Sequence, residues 1–264
     1  MHRVRGQSKV IGNYGYLEKY HDNFYRLIVM KVPIRSDMYN GKRGSKDMND
    51  EKLENNISRA RRNIFQYAMC NEFEYFITLT LDKEKADRYD LDQWAKDLGE
   101  WIRNKQKKNL AYKSEKVEYL LIPETHKDNA WHIHGLIRGL PENRLRIFEE
   151  NEVLPDRMRK MILSGRELKE WSHYTHRFGW NSLERIRDRD SVAKYITKYL
   201  TKDISEIKNR KNKKLYYHTR GLKKPIRTYE GTIPASMIPS SSQNFYENDY
   251  MKLYDLTADQ IPRI

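Results

Sequence analysis

The stretch "NAWHIHGLIRG", Asn129 to Gly139, sets two histidines one residue apart in an otherwise strand-like run. Strand side chains alternate, so His132 and His134 share one face while Ile133 and Gly135 take the other. Their Cβ atoms then lie ~7 Å apart, close enough for both rings to converge on one ion. A half-exposed strand with histidine on its polar face is the other reading of this stretch taken alone. Further along, "DSVAKYITKYLTKDI" predicts a helix with Asp190 or Ser191 as its N-cap. On a helical wheel Val192, Ala193, Ile196, Leu200 and Ile204 form an apolar face, and Lys194, Lys198 and Lys202 a stripe opposite it. Tyr195 and Tyr199 fall on the boundary, one turn apart and ~6 Å along the axis.

A phenol ionises near pH 10 and is a poor nucleophile at neutral pH, but adjacent ammonium groups and a nearby cation favour its anion. Lysine also holds a phosphate as a point charge. Two phenols within one turn are placed to exchange a covalently held strand without releasing it. An amphipathic helix with boundary tyrosines is the alternative, and the helix by itself does not choose.

The elements around these residues predict an α+β fold: a central antiparallel sheet carrying the histidine strand, flanked by helices that include the tyrosine helix. "YFITLTLD", Tyr75 to Asp82, is β-branched and aromatic and reads as the clearest strand. Leu91, Trp94, Leu98 and Ile102 recur at helical spacing in a helix over about 91–107. "VEYLLIP" and "GWNSLERI" are further strands, Glu51 to Cys70 a helix, and Pro141 to Phe178 a largely helical excursion from the sheet. Residues 1–50 read as an N-terminal extension containing the strand "NFYRLIVMKVPI", residues 51–230 as the main domain, and residues 231–264 as a Pro- and Ser-containing peripheral tail.

The chain has 264 residues and a formal net charge of +14, with a pI near 9.6. So one-sided a balance points to a polyanion, most often nucleic acid. The segment "NRKNKKLYYHTRGLKKPIR" interleaves basic side chains with rings, which suits single-stranded nucleic acid: charges follow the backbone and rings stack on bases. A single cysteine, Cys70, excludes an internal disulfide and fits a reducing, cytoplasmic setting. No apolar run reaches membrane-spanning length, and the first residues lack the apolar segment of a leader peptide. "NGKRGSK" does not have the spacing of a phosphate-binding loop, so no ATP-driven motor is expected.

"FITLTLD", "PETHKDNAWHIHGL" and "AKYITKYLTKD", in this order, resemble the HUH endonucleases, and within them the rolling-circle replication initiators of single-stranded DNA phages and plasmids. The resemblance spans about Phe73 to Gly231. It implies a site-specific nicking and closing enzyme that works in a bacterial host cytoplasm on single-stranded origin DNA. A host helicase and polymerase are its implied partners. By the same resemblance His132 and His134 are ligands of a divalent metal, Mg²⁺ or Mn²⁺. Tyr195 is the first nucleophile, Tyr199 the second, and Lys198 a phosphate-neutralising helper. The third ligand comes from a neighbouring element, with Glu124 and His126 as candidates. A three-residue hairpin loop, Lys127 to Asn129, puts Glu124 opposite His132 on the shared face, and its oxygen donors suit Mg²⁺ or Mn²⁺. Lys194, Lys202, Lys213, Lys214 and Arg220 are the expected DNA contacts. Other readings are a transposase or relaxase on the same metal strand, a hydrolase that activates water, and a basic nucleic-acid-binding module without catalysis.

Overall fold

The computed structural model describes residues 13–31, 50–113, 115–126, 128–200, 214–239 and 245–261. In chain order the elements are β1 (Tyr14–His21), β2 (Phe24–Met30), α1 (Asp50–Cys70), β3 (Tyr75–Thr80) and α2 (Leu91–Lys108). Then come β4 (Glu118–Thr125), β5 (Trp131–Arg138), β6 (Leu145–Ile147), α3 (Asp156–Leu163), β7 (Leu168–Trp171) and α4 (Ser172–Arg177). They are followed by β8 (Asn181–Arg185), α5 (Arg189–Thr197), β9 (Tyr217–His218), β10 (Ile226–Thr232), β11 (Phe245–Glu247) and β12 (Met251–Leu256). The chain is α+β, with two antiparallel sheets in two compact units. No helix among the described residues is long and apolar enough to cross a membrane.

One unit comprises residues 1–47 and 224–264. Its sheet runs β10-β1-β2-β12-β11 over Leu17, Leu27, Val29, Ile233, Met237, Tyr254 and Leu256. Residues read from the sequence as an extension and a peripheral tail thus pair with one another, β12 lying against β2 and β10 against β1. Arg26 and Asp255, one on each of two paired strands, close a fork-like contact at 2.6 and 3.0 Å.

The other unit, residues 48–223, holds the seven-stranded sheet β6-β7-β8-β3-β5-β4-β9. Alternation in β3 and β5 sends Tyr75, Ile77, Leu79, Ile133 and Ile137 to one face, where Leu91, Trp94, Leu98 and Ile102 of α2 cover them. Asp90 caps α2 by accepting from the Gln93 N–H at 3.0 Å. Helix α1 packs against α5 and β4. The region Pro141 to Phe178, expected to be largely helical, contributes β6 and β7 to the sheet as well as α3 and α4. Strands of three and four residues are too short to show a period of two.

Candidate active site

The histidine strand lies between β3 and β4, and the register fixes which residues share its polar face. Thr78 stands opposite His134 and Thr80 opposite His132. On the other side Glu124 stands opposite His132, as the three-residue loop requires. His126 N–H donates to the Ala130 carbonyl and Asn129 N–H to that of His126, and Asn129 takes a φ of +61°. A short asparagine tolerates that left-handed position, which closes this hairpin and thereby sets the parity of Glu124. Lys127 lies outside the described residues.

Each threonine hydroxyl shares a hydrogen bond with the Nδ1 of the imidazole facing it, at 3.1 Å for Thr78–His134 and 3.3 Å for Thr80–His132. Fixing Nδ1 fixes the ring and leaves Nε2 as the atom turned to an incoming ligand. His134 Nε2 lies 2.9 Å from Glu124 Oε2, with only 14% and 17% of the two side chains exposed. Glu124 therefore leans diagonally from His132, its register partner, to the next histidine on the face. Two donors ~3 Å apart match neighbouring ligands at ~2.1 Å and a right angle around one octahedral ion. His132 packs its ring beside His126 at 4.9 Å between centroids. Burial, then the charges of His126, His134 and Arg88, hold the His132 imidazole below its usual value, so it is a neutral donor at pH 7. Among the described residues, no three or more His, Cys, Asp or Glu side chains have the arrangement of a closed metal cage. The donor types suit a hard or borderline divalent ion, and Glu124 with His134 has the spacing for one.

Helix α5 brings the phenols to this face. Its N-cap is Asp188, two or three residues before the expected Asp190 or Ser191, and its carboxylate accepts from the Asp190 N–H and the Ser191 hydroxyl. The α-helix ends at Thr197, earlier than the expected Ile204, and Lys198–Leu200 form a 3₁₀ turn. Thr197 supplies a local cause. Its hydroxyl donates to the Lys194 carbonyl at 2.7 Å, competing with the helical ladder. Steps of about 120° over two residues turn Tyr199 ~40° further around the axis than α-helical steps would. The Tyr199 ring stacks on His134, 4.2 Å between centroids at 22°. Tyr199 donates its hydroxyl to Tyr195 at 2.7 Å, and Phe76 of β3 lies under both phenols, 5.6 Å from Tyr195 and 6.2 Å from Tyr199. Tyr199 is half-buried, and burial followed by the bond to Tyr195 pushes its phenol above the usual value. Tyr195 remains 37% exposed.

Lys194 and Lys198 are exposed on this helix and its 3₁₀ turn, while Lys202 lies outside the described residues. A cation that the sequence reading did not assign reaches the phenols instead. Arg157 of α3 donates from Nη2 to the Tyr195 hydroxyl at 3.4 Å, and that bond leads the causes raising its own pKa. Nothing in the sequence around Arg157 marks it; only the return of α3 to the sheet places it there.

Of the other expected DNA contacts, Lys213 is outside the described residues, and Lys214 and Arg220 are exposed near β9. They line a cleft of about 1370 Å³ together with Arg59, Lys116, Tyr216 and Tyr217. Lys214 sits 5.7 Å over the Tyr217 ring, and Tyr216 stacks on His218. None of the residues lining this cleft belongs to the histidine–tyrosine site.

Residues 74–204 match the family model described as replication-associated protein ORF2/gene-2 protein. That span contains the histidine strand, Glu124, Arg157 and both phenols. No curated protein and no solved structure matches the chain.

Proposed function

Because residues 74–204 belong to the ORF2-type family of replication-associated proteins, we propose that the chain initiates rolling-circle replication by nicking single-stranded origin DNA with a tyrosine. One observation carries this reading: Tyr199, from the far end of the matched span, stacks on His134 while hydrogen-bonding Tyr195. Residues with separate places in the sequence share one patch of sheet, and the patch has the groups that phosphoryl transfer to a phenol requires.

Tyr195, the more exposed phenol, attacks the scissile phosphorus. Its Oη–P bond forms as the P–O3′ bond breaks, and the phenolic proton ends on the departing 3′ oxygen. The products are a 5′-phosphotyrosine and a free 3′-OH that a polymerase extends. Water takes no part, so the energy of the phosphodiester is kept for rejoining. After a round of synthesis Tyr199 attacks the regenerated origin, and the released 3′-OH reverses the first link. His132, His134 and Glu124 hold a divalent ion, Mg²⁺ or Mn²⁺, whose charge when bound offsets that of the phosphate. Thr78 and Thr80 keep the two imidazoles aimed. Lys198 neutralises a phosphate beside the phenols, and Lys194 extends that contact along α5. The β9 cleft, with Lys214, Arg220 and its tyrosines, takes the strand flanking the nick. Strand separation falls to a host helicase.

The test uses a randomised single-stranded oligonucleotide pool carrying a 3′ dye, with Mn²⁺ and a denaturing gel. The wild-type chain shifts dye to protein-sized bands, each single tyrosine-to-phenylalanine variant retains adduct, and the Y195F/Y199F double variant forms none while still binding DNA. Adduct in the double variant refutes the nucleophiles. Cleavage that yields only a free 5′-phosphate, with no protein-bound dye, establishes a water-using hydrolase instead.

A further inference from the structure

The two phenols are chemically identical, yet their surroundings differ. The Tyr195 oxygen receives a hydrogen bond from the Tyr199 hydroxyl at 2.7 Å and another from the Arg157 guanidinium at 3.4 Å. Tyr199 spends its own proton on Tyr195 and is packed against His134. An oxygen that accepts from a permanent cation and from a hydroxyl holds developing negative charge more easily than one that is itself the donor.

Arg157 does not reach this position by chance of a flexible loop. Its neighbour Met158 is buried with Phe148, Leu154 and Leu168 in a small apolar cluster, against which Met161, Ile162 and Trp180 pack. This cluster ties α3 down, and Leu168 and Trp180 flank strands of the same sheet that carries the histidines. The arginine is thus held over one phenol by its own piece of core. A guanidinium has several donors in a rigid fork, so it can keep contact with the phenolic oxygen while turning another N–H to a phosphate oxygen.

We propose that Arg157 selects Tyr195 as the first nucleophile, by bonding to its oxygen and stabilising the charge that builds there as the phosphate arrives. The proposal rests on the tyrosine-nicking reading above. It adds a residue from the excursion between β6 and β7 to the machinery, and it gives the two phenols an order: Tyr199 acts once the Tyr195 oxygen is esterified and the arginine is engaged with phosphate.

The experiment measures single-turnover adduct formation on the same 3′-dye pool with saturating Mn²⁺. R157Q and R157K are each combined with Y199F, which leaves only Tyr195, and with Y195F, which leaves only Tyr199. Peptide mapping of the wild-type adduct gives the tyrosine used first. The expected result is a wild-type adduct mainly on Tyr195. R157Q should lower the ratio of Tyr195-dependent to Tyr199-dependent rate by about tenfold or more, as loss of a charge-assisted hydrogen bond implies. R157K should recover part of that ratio. Arg157 is exposed, and thermal melting checks that each variant folds. An R157Q ratio within twofold of wild type overturns the proposal even if both rates fall, because that pattern is a general effect on DNA binding or structure. A wild-type adduct found mainly on Tyr199 overturns it too. Absence of any adduct from the wild-type chain overturns instead the tyrosine-nicking reading on which it rests.

Discussion

Replacing Thr78 and Thr80 with valine removes two hydroxyls and keeps the β-branched shape that suits an inner strand. What is lost is the 3.1 Å bond to His134 Nδ1 and the 3.3 Å bond to His132 Nδ1. The imidazole χ2 torsion is broad, so without its partner each ring samples orientations in which Nε2 no longer faces the ion. A hydrogen bond of this kind contributes about 1 kcal/mol. Two independent losses would then weaken ion binding by ~2 kcal/mol, roughly 30-fold. Both rings serve one ion, so the effects couple, and about 10- to 100-fold is the range to expect for the double variant. Calorimetric titration with Mn²⁺ measures this directly. Adduct formation measured in parallel should fall at low Mn²⁺ and return at saturating Mn²⁺, because the phenols are untouched. A T78V/T80V chain that binds Mn²⁺ as tightly as wild type refutes the orienting role. A variant that melts several degrees lower and is not rescued by Mn²⁺ assigns the threonines to the fold alone.

Two further outcomes separate residues that lie close together. E124Q, which weakens the donor 2.9 Å from His134 Nε2, should lower Mn²⁺ affinity by about tenfold or more, while H126A should change it by less than about threefold; the reverse order would make His126 the third ligand. G135A places a Cβ 2.5 Å from a Leu121 methyl and 2.6 Å from the Leu120 carbonyl oxygen, so β4 and β5 must part. A loss of about 1–3 kcal/mol, seen as a melting temperature several degrees lower, is expected, and unchanged melting would mean that the hairpin has slack the contacts do not show.

The parts of the site that the sequence discloses are those governed by local rules. Alternation in "YFITLT" and "WHIHGLIR" assigns faces, helical spacing from Leu91 to Ile102 assigns α2, and the length of the hairpin loop assigns the parity of Glu124. The parts it hides depend on chain segments far apart. Arg157 meets Tyr195 only because a small cluster around Met158 docks α3, and no pattern near residue 157 announces that docking. The pairing of β1 with β10 joins segments from opposite ends of the sequence, and short polar strands with Gly231 and Tyr229 among them look like loop when read alone. The end of α5 is hidden for another reason: Lys198, Tyr199 and Leu200 continue the apolar period, while the hydroxyl of Thr197 breaks the ladder beneath it.

That break matters to the division of labour between the phenols. On an uninterrupted α-helix residues four apart differ by ~40° around the axis and present nearly the same face. Both rings would then compete for one position above the histidines. Tightening after Thr197 roughly doubles the difference, and the observed contacts follow from it: Tyr199 lies flat on His134, while Tyr195 stands edge-on to Tyr199 at 88° and is open to solvent and to Arg157. One phenol is thereby withheld, half-buried and giving its proton away, and the other is presented with two donors on its oxygen. A pair of nucleophiles that must act in turn needs such a difference before DNA arrives. A single threonine hydroxyl and an arginine from another helix are enough to provide it.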